Sequence, residues 1–542
     1  MSNIFQAVES SKPRRTNFDL SFENKLTMNM GKLVPFMVKE VLPSDTFNIK
    51  SEVFVRFAPL LAPVMHRVNV FTHFFFVPNR LVWDNWETFI TGGEDGLQEP
   101  VMPFIETSDL SPINGDAMDG TLCDYLGVPF LESREGIERI NALPFRAYQL
   151  IYNEYYRDQN LIEKIEYGGH GDGWISDYTD LSQLIKLRTR AYEKDYFTSA
   201  LPWTQKGAEV TLPITGDGKC YIGDPPYNPT LVHAITGSPT EDEELKIDSV
   251  SGSSGILRGS VSNQGMFIDP YANNNIMVDL SDVSSTSIND LREAFQLQVW
   301  LERNARGGSR YIEQLMSHFG VKSSDARLQR PEYLGGGMSP VVISEVMTQA
   351  ASFATDDETV LNPVGAMAGK ATSVQNSNGI SAYFEEHGWL IGIISVMPRT
   401  TYYQGIPRQL SKMDKFDYYW PEFAHLGEQE VLNKEVYFTN ELSNDPNGVF
   451  GYQSRYAEYK YYPNEVHGSF RNDLDHWHFG RRFTSEPNLN EQFIECDYEE
   501  IWQPFAVQPT ENMGAIYCQI YNSIVAQRPM PYESTPGLVD HF

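Results

Sequence analysis

Hydrophobic and polar positions alternate most regularly between His66 and Val77. Val68, Val70, Thr72, Phe74 and Phe76 share one parity, and Arg67, Asn69, Phe71, His73 and Phe75 the other. Period two with β-branched and aromatic residues predicts a strand. Aromatics of both parities near its end predict burial on both faces there. Pro78 and Asn79 close the ladder, because proline has no N–H to donate. Trp83, Trp86, Phe89 and Ile90 then fall near helical spacing, which predicts a short amphipathic helix over 81–90, stopped by Gly92 and Gly93.

The same reading extends along the chain. Thr46–Phe57 alternates, with Phe47, Ile49 and Val53 on one face, and predicts a strand. The apolar run 389–397 predicts a core strand between Gly388 and Pro398, with Ile391, Ile393 and Ile394 inside. It is too short for a membrane span, which needs roughly 20 residues. Further strands are expected at 340–348, 434–439 and 449–462. Helices are expected at 144–156, with proline in the first turn, and at 309–319, ended by Gly320. A third, over 289–305, is apolar nearly all round at 295–301 and is expected to be buried between partners. Residues 1–45 read as an extended arm and 91–144 as loop. The C-terminal stretch with Pro504, Pro509, Pro529, Pro531 and Pro536 reads as an ordered, irregular tail. Helices in long connections, rather than after every strand, disfavour a doubly wound α/β sheet and favour a two-sheet, mainly β architecture.

Charge narrows the function. The chain carries 42 Lys and Arg against 72 Asp and Glu, a formal net charge of −30. Phosphate neutralisation needs cations, so the surface as a whole is no nucleic-acid binder. Binding would need local basic patches or a separate basic protein. Lys12, Arg14 and Arg15 near the N-terminus are candidate DNA contacts, as are Arg481 and Arg482, which follow an aromatic stretch. An inter-subunit salt bridge is an equal reading of the second pair. Residues 211–287 turn abruptly to Ser, Gly, Asn and acidic residues and read as an insertion in the core. Exposed loops on a rigid scaffold often carry binding, so its tip at 238–265 supplies candidate contact residues: Ser238, Thr240, Glu241, Asp242, Ser251, Ser253 and Gly265.

Candidate chemistry changes little. Cys123, Cys220, Cys496 and Cys518 are far apart and are expected to be free thiols. The first residues show no apolar signal region, so the protein is expected to be soluble and cytoplasmic when made. No phosphate loop and no G-x-S-x-G elbow occurs; Gly335–Gly337 lacks the lysine such a loop needs and reads as a tight turn. His467, His476 and His478, near Asp473 and Asp475, have a metal-like spacing. Their aromatic neighbours Phe470, Trp477 and Phe479 favour structural histidines. The acids at 356–358 imitate a glycosidase pair, which leaves a polysaccharide-active or carbohydrate-binding β-protein as the rival reading. No catalytic residue, cofactor or metal is expected.

Several segments carry a resemblance. They are 66–93, 194–202 (KDYFTSALP), 330–337 (RPEYLGGG), 387–392 (HGWLIG) and 418–423 (YYWPEF). With them the chain resembles the major capsid proteins of the Microviridae, most closely the gokushovirus branch. The resemblance implies an eight-stranded antiparallel jelly roll with long inserted loops and several helices. Its core would comprise 46–210 and 288–542, the segment 1–45 would be an interior arm, and 211–287 would build a threefold protrusion. It implies a T=1 icosahedral shell around circular single-stranded DNA, assembled in the host cytoplasm and resident in the virion. The implied partners are other copies of the chain, a small basic DNA-packaging protein, a DNA pilot protein and a bacterial surface receptor.

Overall fold

The computed structural model describes residues 14–533 apart from 115–118, 130–137, 209, 211–218, 309, 348, 350–351, 355–356, 363–364, 377–378, 440–444 and 511–512; between 223 and 287 it describes only four short strands. The chain divides into two compact units, one of Met1–Thr204 with Asn304–Phe542 and one of Gln205–Arg303.

The strands of the first unit's core are β1 (Thr16–Asp19), β2 (Phe22–Met28), β3 (Val34–Val41), β4 (Thr46–Phe57), β5 (Val68–Pro78), β6 (Glu332–Pro340), β7 (Val342–Met347), β8 (Met367–Asn376), β9 (Ile380–Tyr383), β10 (Gly388–Pro398) and β11 (Ile516–Arg528). They form two antiparallel sheets. The larger runs β1-β11-β4-β8-β7, with β2 also on β11 and β9 also on β4. The smaller runs β6-β5-β10-β3.

Burial follows the sequence pattern. Along β4, Phe47, Ile49, Val53, Val55 and Phe57 are buried and the residues that alternate with the last four are exposed. That is the signature of a sheet with one covered and one open face. β5 differs: every residue is buried except half-buried His73. Its alternate side chains enter two different cores. Phe74 and Phe76 join Phe36, Leu390 and Ile394 between the sheets. Phe75 and Val77 join Ile391 and Ile393 against the helix Leu143–Ile151 (α1), through Phe145, Tyr148 and Ile151. The three isoleucines of β10 are thus core residues, at most 2% exposed. Cys123, Cys496 and Cys518 are buried thiols outside any disulfide, and burial pushes the last two up to about 12.

Several expectations are corrected. Residues 16–41 are no arm but supply β1, β2 and β3. The expected C-terminal tail contains β11, a thirteen-residue strand in the middle of the larger sheet. Ile516, Cys518, Ile520, Ile524 and Ala526 face inward there, and the prolines lie outside it. The segment 434–439 holds a helical turn, Asn433–Val436, in which Glu435 accepts from Leu432 N. Val449–Ser454 is a strand, but Tyr456 at φ +61° ends the extended run. Segment 91–144 contains the short helices Thr107–Asn114 and Leu122–Tyr125. The helix before Gly92 is shorter than expected, Trp86–Thr91, and Gly92 closes it at φ +78°. Gly335–Gly337 lies within β6 rather than in a turn. A Cβ on Gly336 would come 2.3 Å from Thr72 O, so glycine admits the close approach of β5.

The second unit holds two small antiparallel groups: Lys219–Ile222 with Ile276–Asp279, and Leu257–Gly259 between Leu245–Ile247 and Gly265–Met266. It also holds most of the helix Ile288–Gly307 (α2). α2 was expected to be buried between partners; within the single chain Phe295, Val299 and Trp300 on it are exposed. Helix Tyr311–Phe319 (α3) ends at Gly320 with φ +67°, as its sequence predicts.

Candidate nucleic-acid interface

The open face of the larger sheet collects side chains that single-stranded nucleic acid needs. Because β4 and β11 alternate, their outward residues form rows across the strands. One row is Lys25, Gln519, Phe54 and Val374, each opposite the next. The next is Thr27, Tyr517, Arg56 and Thr372. Beyond lie Glu23, Tyr521 and Glu52, then Ser523 opposite Lys50. Phe54, Tyr517 and Tyr521 are 42%, 46% and 40% exposed. These large rings lie in the open on a rigid surface. With Lys370 on β8, the outward cations of this face are Lys25, Lys50, Arg56 and Lys370, and its outward acids are Asp19 on β1, Glu23 and Glu52. A positive excess here stands out in a chain of −30.

A groove of about 860 Å³ opens beside these rows, lined by Phe22, Lys25, Lys39, Phe54, Arg56 and Tyr517 among others. The Lys39 ammonium sits 4.0 Å from the centre of the Phe22 ring. Burial lowers its pKa. Glu23, Asp119 and Asp124 also border the groove, so its charge is mixed. Cations that pair phosphates beside rings that stack bases are the general requirement for binding single strands without sequence preference.

The residues singled out in the sequence divide. Arg14 and Arg15 are exposed at the entry to β1, and the Arg15 guanidinium lies 5.3 Å from the ring of Tyr383 on β9. Both therefore sit at the margin of the same sheet. Lys12 lies outside the described residues. Arg481 is corrected: it is 1% exposed and has no surface to offer a phosphate. It donates to Phe493 O at 2.6 Å and to Glu500 at 3.2 Å, with its guanidinium 4.5 Å from the Phe493 ring. Burial works against its charge, but Tyr192, Tyr402 and Glu500 outweigh that and raise its pKa. Arg482 is exposed and pairs with Asp475 at 2.8 Å. Ser238, Thr240, Glu241, Asp242, Ser251 and Ser253 lie outside the described residues, and Gly265 opens the strand Gly265–Met266.

The histidine stretch is internally engaged. His478 is buried; its Nδ1 accepts from Gly480 N at 2.9 Å, so its Nε2–H donates to Phe470 O at 2.8 Å. His467 lies 3.0 Å from Glu465, and His476 3.8 Å from Asp475. Among the described residues no group of three or more His, Cys, Asp or Glu is arranged to hold a metal ion. Nor, among them, is any helix long and apolar enough to cross a membrane.

A buried knot holds the segment 194–202. Asp195 accepts from Phe197 N at 2.9 Å and Thr198 N at 2.8 Å, and from the hydroxyls of Thr198, Thr400 and Tyr402. It ties this loop to the chain leaving β10.

Comparison with known proteins agrees with the architecture. Residues 6–538 match the family described as Capsid protein (F protein). The chain is 38% identical to capsid protein VP1 of Chlamydia phage 1, over 99% of this chain and 98% of that one. It is 39% identical to VP1 of Bdellovibrio phage phiMH2K, over 91% and 90%. VP1 of Spiroplasma virus 4 is 30% identical, over 97% and 95%. Together with the antiparallel β architecture, these matches place the resemblance seen in the sequence on firm ground: the chain belongs to the phage capsid F protein family.

Proposed function

We propose that copies of this chain close into a T=1 icosahedral shell around circular single-stranded DNA, with the open face of the larger sheet turned towards the DNA. The observation that carries this is an open aromatic face whose cations slightly outnumber its acids, on a chain of net charge −30. Its function is structural and rests on interface burial, not on a reaction. Eight strands support a jelly-roll count: β2-β11-β4-β8 in one sheet and β3-β10-β5-β6 in the other. Most successive strands pass between the sheets in the manner of two Greek keys.

The overall acidity means that the chain alone holds DNA weakly. A small basic packaging protein therefore completes charge neutralisation, and a DNA pilot protein shares the particle. Arg14, Arg15 and Arg482 remain candidate contacts at exposed positions. The segment 211–287 is the attachment element that meets a bacterial surface receptor. The particle assembles in the host cytoplasm.

Size tests the reading. Sixty copies of a 61.7 kDa chain give about 3.7 MDa of protein. Sedimentation and electron microscopy should show closed particles of that mass. A small oligomer that binds polysaccharide would overturn the proposal.

A further inference from the structure

A second surface is organised for contact. Between β10 and the strand Glu428–Leu432, residues 408–426 form an aromatic ledge made of short turns. Met413, Tyr418, Tyr419 and Trp420 are 87%, 54%, 51% and 45% exposed. Such a cluster of large apolar groups on a monomer's surface marks a binding site.

The ledge is rigid. The Asp417 carboxylate accepts from Met413 N and Asp414 N, each at 2.8 Å. Trp420 Nε1 donates to Lys415 O at 2.8 Å, and Trp420 N donates to the Tyr456 hydroxyl at 3.3 Å. The Tyr419 ring lies 4.9 Å from the Tyr456 ring. Behind them, Lys412 pairs with Glu458 at 3.1 Å and sits 3.9 Å from the Tyr459 ring centre. Ordered aromatic groups lose little freedom on binding, which is what binding hot spots require.

Charge identifies the occupant. Over 408–426, Arg408, Lys412 and Lys415 balance Asp414, Asp417 and Glu422. Two copies of a −30 chain repel, and they meet with least cost where the surface is neutral and aromatic. Nucleic acid would require a cation excess that the ledge lacks, and a basic protein would choose the acidic surface instead. We infer that the ledge docks a second copy of this chain. The inference rests on the shell reading above.

The test uses the full chain carrying Tyr418→p-benzoylphenylalanine, assembled from a mixture of isotopically heavy and light copies and irradiated as particles. The expected result is a set of heavy–light peptide pairs joining residue 418 to another copy. Cross-links confined to one chain, or made to a different virion component, overturn it. In parallel, Met413→Asp and Tyr418→Asp should leave the melting temperature within about 2 °C of the parent, because both side chains are exposed. Particle yield should fall roughly tenfold or more. Unchanged yield from both folded variants overturns the inference while leaving the shell reading intact. Absence of particles from the unsubstituted chain overturns both.

Discussion

Asp195→Ala should be among the most damaging single changes in the first unit. The carboxylate is 6% exposed and takes five hydrogen bonds, two from backbone N–H groups and three from hydroxyls. A hydrogen bond to a charged acceptor contributes ~1.5–3 kcal/mol net, and an orphaned buried donor costs ~1–3 kcal/mol. The five share one group and relax together, so the sum overstates the loss; about 4 kcal/mol is the reasonable total. Asp195→Asn is the control. Its oxygen can keep the two backbone donors while its amide donates to Thr400 and Tyr402, whose hydroxyls rotate to accept. That variant should lose only about 1 kcal/mol. The assay is calorimetry, following the transition of the larger unit. For a unit of this size, about 1 kcal/mol corresponds to about 1 °C, so alanine should lower its melting temperature by about 4 °C and asparagine by about 1 °C. A loss below about 1 °C for alanine, or equal losses for the two variants, would refute the knot as a source of stability.

Three further outcomes are expected. Ile393→Asp places an unpaired charge where the side chain is 2% exposed, at a cost of several kcal/mol, and should abolish soluble assembly; normal particle yield would contradict its core position. The triple variant Lys25→Gln, Lys50→Gln, Arg56→Gln should reduce the salt slope of oligothymidine binding by about 2, at ~0.7 for each phosphate left without its cation, as read by fluorescence anisotropy; an unchanged slope would show that these three cations meet no phosphate. Glu495 lies beside Glu491 and Asp497, and burial first, then Glu491, raises its pKa to about 7. A carboxyl raised above its ordinary 4.5 contributes stability that is fully present below that value and lost as pH rises through about 7. Glu495→Gln should flatten the pH dependence of melting between those limits, and an unchanged profile would show that another group is responsible.

The legible parts of the fold were those where one physical signal dominated. β4 and β5 announced themselves by alternation, and β10 by an apolar run bounded by Gly388 and Pro398. β11 carries the same period, but nearby prolines and its outward tyrosines hid it. β2 is hard to see because its apolar Phe22, Leu26 and Met28 are interrupted by Asn24, and its Glu23 and Lys25 face solvent. Segment 434–439 has β-favouring Val436, Tyr437 and Phe438, yet Glu435 is taken up by Leu432 N and Arg408 and the chain turns helical. The candidate interface was half visible. The alternation of β4 already set Lys50, Phe54 and Arg56 opposite its buried face. Their assembly with Lys25 and Tyr517 depends on pairing between chain ends nearly 500 residues apart, and no local pattern reports that. Arg481 and Arg482 show the converse limit. Both follow aromatics in sequence, but one is enclosed by them and the other faces solvent.

Ultraviolet cross-linking of DNA inside assembled particles, with the attached peptides mapped by mass spectrometry, tests the central claim most directly. The account predicts DNA joined to the outward rings of β4 and β11, at Phe54, Tyr517 and Tyr521. DNA joined elsewhere on the chain, with these three residues unmodified, would contradict it.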